Sequence, residues 1–256
     1  MFTKIKAIGF FTLLEAVRHH LIWLIVGSVL TGILVGQFVD SLAITESVQI
    51  QNAIIGAMFR FIAVIIVTLF VVSSVAHDFS DKTIELLLAT AITRTQYFIG
   101  KAIGLSGVAV AVALAFGVTM SIYSYPDQVM FWTISLLLEL LIVMAFSFLC
   151  AISLLQIPIA LFSVLLFYLM SRTIGAIVLM ANSPFQDEIS FADQTIFLLI
   201  DGIRYLLPNL DHFTKTEWLV YGSGDWSQVG QLAIQSLVYM LLLFSASLFD
   251  LHRKNL

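Results

Sequence analysis

The chain has 256 residues, 60% of them hydrophobic and 11% charged, with a formal net charge of −4 and a mean hydropathy of +1.03. Soluble domains carry roughly 25% charged residues, and a globule this apolar could not cover its surface, so a water-soluble fold is excluded and the chain reads as an integral membrane protein. The single cysteine, Cys150, excludes an intrachain disulfide; set in an apolar run, it reads as a small buried side chain.

Residues 2–19 read as an amphipathic helix lying on the membrane. Lys4, Thr12, Glu15, Arg18 and His19 share one side, Phe2, Ile5, Phe10, Leu13, Leu14 and Val17 cover most of the rest, and Lys6 breaks the pattern. No A-x-A site follows the first apolar run, which argues against a cleavable signal. A first span is predicted over 21–38, with Trp23 near its start. The loop 39–53 contains Asp40 and Glu46 and no Lys or Arg. A second span covers 54–76, long enough for a bilayer core that needs roughly 20 residues. A polar loop follows, then a third span over 98–123 and a short loop around Pro126 and Asp127.

Residues 131–180 are almost continuously apolar. As one helix they would extend about 75 Å, more than twice a hydrocarbon core of roughly 30 Å, so they must fold back. Gln156-Ile157-Pro158 is the turn, because Pro158 lacks a backbone donor and disfavours helix at Ile157. This gives span four over 131–155 and span five over 158–180. Residues 181–228 form the one long loop. Within it 193–207 is a second amphipathic segment, re-entrant or interfacial, with Ile196, Leu199, Ile200, Ile203 and Leu207 set against Asp201 and Arg204 and stopped by Pro208. Gly222-Ser223-Gly224-Asp225 leads into span six over 229–249 and a tail with His252, Arg253 and Lys254. The expected fold is therefore an all-α polytopic membrane protein. Residues 1–256 form one transmembrane domain of six helices, with an interfacial helix at 1–20, a loop at 77–97 and a loop at 181–228.

Six spans place both termini on one side. Lys4, Lys6, Arg18, Lys82, Arg94, Lys101, Arg253 and Lys254 fall on that side, and the opposite short loops have no Lys or Arg. The excess of basic residues makes the termini and the 77–97 loop cytoplasmic and the 181–228 loop external. Arg204 and Lys215 lie in the long loop, where this rule has little force.

Three charged residues sit at membrane depth and are candidates for function on that ground. Arg60 lies about 9 Å below the external start of its span, and Glu139 and Arg172 each about 12 Å below theirs. At this common depth they form one cluster, which either holds the spans in register or meets an anionic part of a substrate. The alternative is that both arginines snorkel outward and Glu139 takes a local partner. The five histidines sit at interfaces or in loops without metal-ligand spacing beyond the adjacent pair His19-His20, so no metal site is expected. Gly100-Lys101 is followed by Ala102, and no glycine lies five residues before Gly100. There is thus no phosphate-binding loop and no ATPase site in this chain, and no G-x-S-x-G elbow of a hydrolase.

The polar loop is the most structured interruption. Asp81 complements a helix N-terminus, Ile84, Leu87, Leu88 and Ala91 form an apolar stripe at i, i+3, i+4, i+7, and Thr93 with Gln96 has the spacing of a capping box that starts a new helix at Arg94. The product is an interfacial helix, a corner and a transmembrane helix. The run Lys82-Thr83-Ile84-Glu85-Leu86-Leu87-Leu88-Ala89-Thr90, continued by Thr93-Arg94 and Gly100-Lys101, resembles the signature of type-2 ATP-binding-cassette permeases, K/G-T-hydrophobic-E-x-L-L-A-T-P-x-x-R ending in G-K. Ala91 stands where that family has proline. The order of elements along the whole chain is similar too, and the pattern is closest to the permeases of multicopper-enzyme maturation systems.

The resemblance implies that residues 77–97 contain a cytoplasmic coupling helix. Lys82, Thr83, Glu85, Leu87, Leu88, Thr90, Arg94 and Lys101 would be the elements that couple to an ATPase. It implies a multi-pass protein of the bacterial cytoplasmic (inner) membrane that is not itself an enzyme. Its partners would be cytoplasmic ATPase subunits that hold ATP and Mg, a second permease copy or paralogue, and an extracytoplasmic accessory protein on 181–228, with no nucleic acid. The function implied is outward movement of an amphiphilic or polymeric substrate. The alternative is a non-transporting membrane scaffold, or a membrane-embedded enzyme in envelope protein maturation.

Overall fold

A computed structural model describes residues 2–18, 21–42, 47–80, 93–154, 156–181, 202 and 206–253. Among them it is all helical: α1 (Phe2–Arg18), α2 (Leu21–Leu42), α3 (Ser47–Ser80), α4 (Arg94–Met120), α5 (Pro126–Leu154), α6 (Ile157–Ala181), a 3-10 turn (Leu210–His212), α7 (Thr216–Tyr221) and α8 (Trp226–Arg253). Six of these, α2 to α6 and α8, are long and apolar enough to cross a membrane. The chain is an all-α polytopic membrane protein, with the six helices in the places that hydropathy predicts. Most run a turn or more beyond the apolar cores. The 39–53 segment is correspondingly shorter as a loop, since α3 already starts at Ser47.

Burial divides the spans. Helices α3, α4 and α5 are more than half buried, whereas α2, α6 and α8 are largely exposed. The centre is aromatic and aliphatic. Phe59 stacks on Phe116 at 4.8 Å between ring centroids, Phe98 on Phe148 at 5.0 Å, and Phe98 meets Phe244 edge-on. In lipid, helices gain no hydrophobic drive from meeting each other, so close approach depends on small residues. Gly32 and Gly36 let α2 lie against α3, where a Cβ on Gly32 would stand 2.3 Å from the Phe59 ring.

Helix α1 shows the same logic. Its buried stripe is Ile5, Gly9, Thr12 and Ala16, while Phe10, Phe11, Leu13, Leu14 and Val17 are exposed. The small residues meet Gly100 and Gly104 of α4, and a Cβ on Gly104 would lie 2.5 Å from Thr12. The large apolar side chains thus face outward, where a bilayer would cover them. Amphipathicity marks the face turned to the membrane; the stripe that meets α4 is set separately, because the G-x-x-x-G pair on α4 selects small residues rather than large ones.

The T-x-x-Q capping box at the start of α4 is present. Gln96 N–H donates to Thr93 Oγ1 and Thr93 N–H to Gln96 Oε1, both at 3.3 Å. Helices α5 and α6 are joined at the Gln156-Ile157-Pro158 turn. Pro158 sits in the first turn of α6, where its missing N–H costs no bond. The 193–207 amphipathic segment lies almost wholly outside the described residues. The described part of the long loop instead holds the 3-10 turn and α7, and α7 ends on Gly222 at φ +66°, a conformation that glycine takes without strain.

Candidate functional site

Two polar constellations lie near opposite ends of the bundle. At the end carrying Arg94 and Lys101, hereafter the basic end, Lys101 is only 3% exposed. Its ammonium lies 2.7 Å from Asp78 Oδ2 and 3.2 Å from Glu15 Oε2. Tyr97 is buried one turn before Lys101 and donates its hydroxyl to the same Asp78 oxygen at 2.6 Å. Glu15 belongs to α1, Asp78 to the last turn of α3, and Tyr97 and Lys101 to the first turns of α4. A buried lysine shared by two carboxylates, one of them also accepting a hydrogen bond from a phenol, meets the condition under which buried charge is tolerated.

Arg94, the first residue of α4, donates through Nη1 to the carbonyls of Leu251 and His252 at 3.1 and 3.2 Å. Those carbonyls end α8 and lack helical partners, and a cation there also complements the helix dipole. Residues 81–92 are therefore entered from a helix held through Asp78 and left into a helix held through Arg94, Tyr97 and Lys101. The sequence-derived residues Lys82, Thr83, Glu85, Leu87, Leu88 and Thr90 lie outside the described residues. Of that set only Arg94 and Lys101 are placed, and both are engaged inside this chain. Sequence patterns do not show Glu15 as a partner, because it lies 86 positions from Lys101 and reads simply as a polar-face residue of α1.

The second constellation lies within the membrane-spanning region, and Thr214 is its hub. Glu139, on the inner face of α5, is fully buried, about 20 Å along that helix from Pro126. Its Oε1 faces Arg172 Nη1 at 3.6 Å, and its Oε2 accepts a hydrogen bond from the Thr214 hydroxyl. Arg172 also donates to the carbonyls of Leu210 and Phe213, the latter at 3.0 Å. Arg60 donates to the Thr214 carbonyl at 3.2 Å, and Thr214 N–H donates to Ser135 Oγ at 2.8 Å. Thr214 holds φ +42°, an uncommon and costly conformation for a β-branched residue. Its N–H, carbonyl and hydroxyl are all engaged, which over-determines that conformation.

The structure thus brings Arg60, Glu139 and Arg172 around one segment of the long loop, and neither arginine simply snorkels away. The direct partner of Glu139 is Arg172, whereas Arg60 takes a backbone carbonyl. Asp211 joins them: it acts electrostatically on Arg172, and its carboxylate sits where a Cβ on Gly175 would lie 2.2 Å from Oδ2. Two arginines and two carboxylates balance in formal charge. That favours a structural pin for the 208–222 segment over a cationic receptor for substrate. Most of the loop's share of the site, three backbone carbonyls together with the N–H and hydroxyl of Thr214, has no sequence signature. Cys150 is buried and free.

No family model matches the chain, and no curated protein matches it either.

Proposed function

We propose that this chain is the permease subunit of a type-2 ATP-binding-cassette exporter, with its termini and residues 81–92 in the cytoplasm. The observation that carries this reading is the clamp at the basic end. The permease-like run of residues 82–94 enters and leaves through helices tied to one another and to the first and last helices of the chain. A force applied by a soluble ATPase to residues 81–92 would reach α3 through Asp78, α4 through Arg94, α1 through Glu15 and α8 through its terminal carbonyls. In this reading Lys101 and Arg94 are positioning residues, and the surface that meets the ATPase is left to Glu85 and its neighbours.

At the opposite end the Thr214 hub holds residues 208–222 against α3, α5 and α6. It keeps the external half of the permease closed around its own loop until the spans move. ATP and Mg belong to the partner subunit, since this chain has no phosphate-binding loop.

Affinity purification of the full chain from its own membranes tests the reading. The expected result is an ATP-binding-cassette ATPase retained in stoichiometric amount and lost on Glu85→Arg. A chain that purifies intact without an ATPase, or retains it unchanged in Glu85→Arg, contradicts the proposal and favours the scaffold reading.

A further inference from the structure

Beside the Thr214 hub lies a small pocket of about 170 Å³ that the hub does not use. It is lined by His212 and Lys215 from the loop segment and by Gln228, Gln231, Leu232 and Gln235 of α8. The three glutamines fall at i, i+3 and i+7, so they form one stripe down one face of the helix. Gln235 lies about 14 Å along α8 from Trp226, and Lys215 directly follows a residue bonded to the buried Glu139. The pocket therefore reaches into the apolar layer.

Most of its polar groups lack partners within the described part of the chain. Lys215 has no carboxylate within ion-pair distance among the described residues, and no described residue bonds the amides of Gln231 or Gln235. Gln228 Oε1 accepts from Trp218 Nε1 at 3.1 Å, which leaves the NH₂ of Gln228 as its free group. Asp211, the neighbouring carboxylate, lies against Gly175, and its Oδ2 is 4.0 Å from His212 Nε2. Gln228 and Gln231 are exposed and Lys215 and Gln235 partly so, so they face the surroundings of the bundle rather than its interior, and where lipid covers that surface the oxygens of a headgroup are the acceptors at hand.

We infer that this pocket binds the anionic headgroup of a membrane lipid in the leaflet opposite the basic end. The lining offers one ammonium and several amide N–H groups, a set that complements a phosphodiester. Lysine serves as the point charge, and the amides take the remaining oxygens. The volume is too small for a drug-sized ligand, whose sites run from about 300 Å³, but is suited to a headgroup fragment. Below the glutamines the same face of α8 continues as Val238 and Leu242, both exposed, and is flanked by exposed Ile234 and Leu241. An acyl chain whose head sat on Lys215 would run along that strip. The inference depends on the six-span architecture and not on coupling to an ATPase, so its test stands apart from that of the exporter proposal.

The test uses the full chain in phosphatidylcholine nanodiscs, with Trp23→Phe so that the one strongly exposed tryptophan is Trp226, near the pocket. Quenching by phosphatidylglycerol brominated high on its acyl chains is compared with quenching by phosphatidylcholine brominated alike. One basic residue near a membrane surface contributes enough to give a preference of about fivefold for the anionic lipid. That preference is expected in the parent, retained in Lys215→Arg, and lost in Lys215→Gln and in Gln231→Leu/Gln235→Leu at unchanged melting temperature. Equal quenching by the two lipids in the parent overturns the inference, as does a preference that survives Lys215→Gln. Displacement of the brominated anionic lipid by millimolar inorganic phosphate would assign the pocket to a soluble anion and overturn the lipid assignment.

Discussion

At the scale of single residues, a charge in the apolar layer must be matched closely. Arg172 and Arg60 both reach the 208–222 segment, but only Arg172 faces the carboxylate of Glu139. Removing one partner of a buried ion pair strands the other, a loss of about 3–5 kcal/mol, whereas removing a donor to a carbonyl costs about 1–3 kcal/mol. Arg172→Leu should therefore lower the melting temperature in detergent more than Arg60→Leu does. Adding Glu139→Gln should restore part of the Arg172→Leu loss, because the stranded carboxylate becomes neutral and the amide oxygen still accepts from Thr214. The same addition should restore little of the Arg60→Leu loss. Equal rescue of both would mean that Glu139 is shared between the arginines. The depth of these three residues is legible in the sequence, since a charge in an apolar run is conspicuous and helical rise converts position into depth. Their meeting point is not, because Thr214 looks like any loop threonine and backbone carbonyls leave no mark on composition.

At the scale of elements, helix placement follows from hydropathy and helix contact does not. The apolar runs, Pro158 and the Thr93/Gln96 cap are local signals, and each has its counterpart in the structure. Which face of α1 is buried depends on a surface far along the chain, the glycine groove of α4. There the stripe Ile5, Gly9, Thr12, Ala16 fits the groove, while the larger side chains are left to the membrane-facing side that amphipathicity marks. Gly104→Val should therefore act on α1 rather than on α4 alone. It forces the Thr12 contact apart, at an overpacking cost of about 1–3 kcal/mol. The distance between spin labels at positions 14 and 118, both exposed in the parent, should lengthen and broaden. An unchanged distance distribution would show that the groove does not hold α1.

At the scale of the whole molecule, the proposed orientation rests on the uneven distribution of basic residues between the two ends of six spans. Cysteines introduced at Ser80 and Tyr221 lie at opposite ends of the bundle, and the native Cys150 is buried and gives little background. A membrane-impermeant maleimide added to intact cells should label position 221 and not position 80. Reversed labelling would invert the topology and remove residues 81–92 from reach of any cytoplasmic motor. In the proposed topology, force on those residues is transmitted through the clamp of Glu15, Asp78, Tyr97 and Lys101. The most direct measurement is ATP hydrolysis by the complex purified through this chain, parent against Lys101→Met. Lys101 is buried and makes its contacts inside the chain, so the variant should keep its ATPase bound. Coupling energies between sites of 1–3 kcal/mol correspond to changes of about 5–150-fold. Nucleotide hydrolysis in Lys101→Met should become uncoupled, shifting at least about fivefold from the parent rate in a complex of unchanged composition. An intact complex that hydrolyses ATP at the parent rate would contradict it.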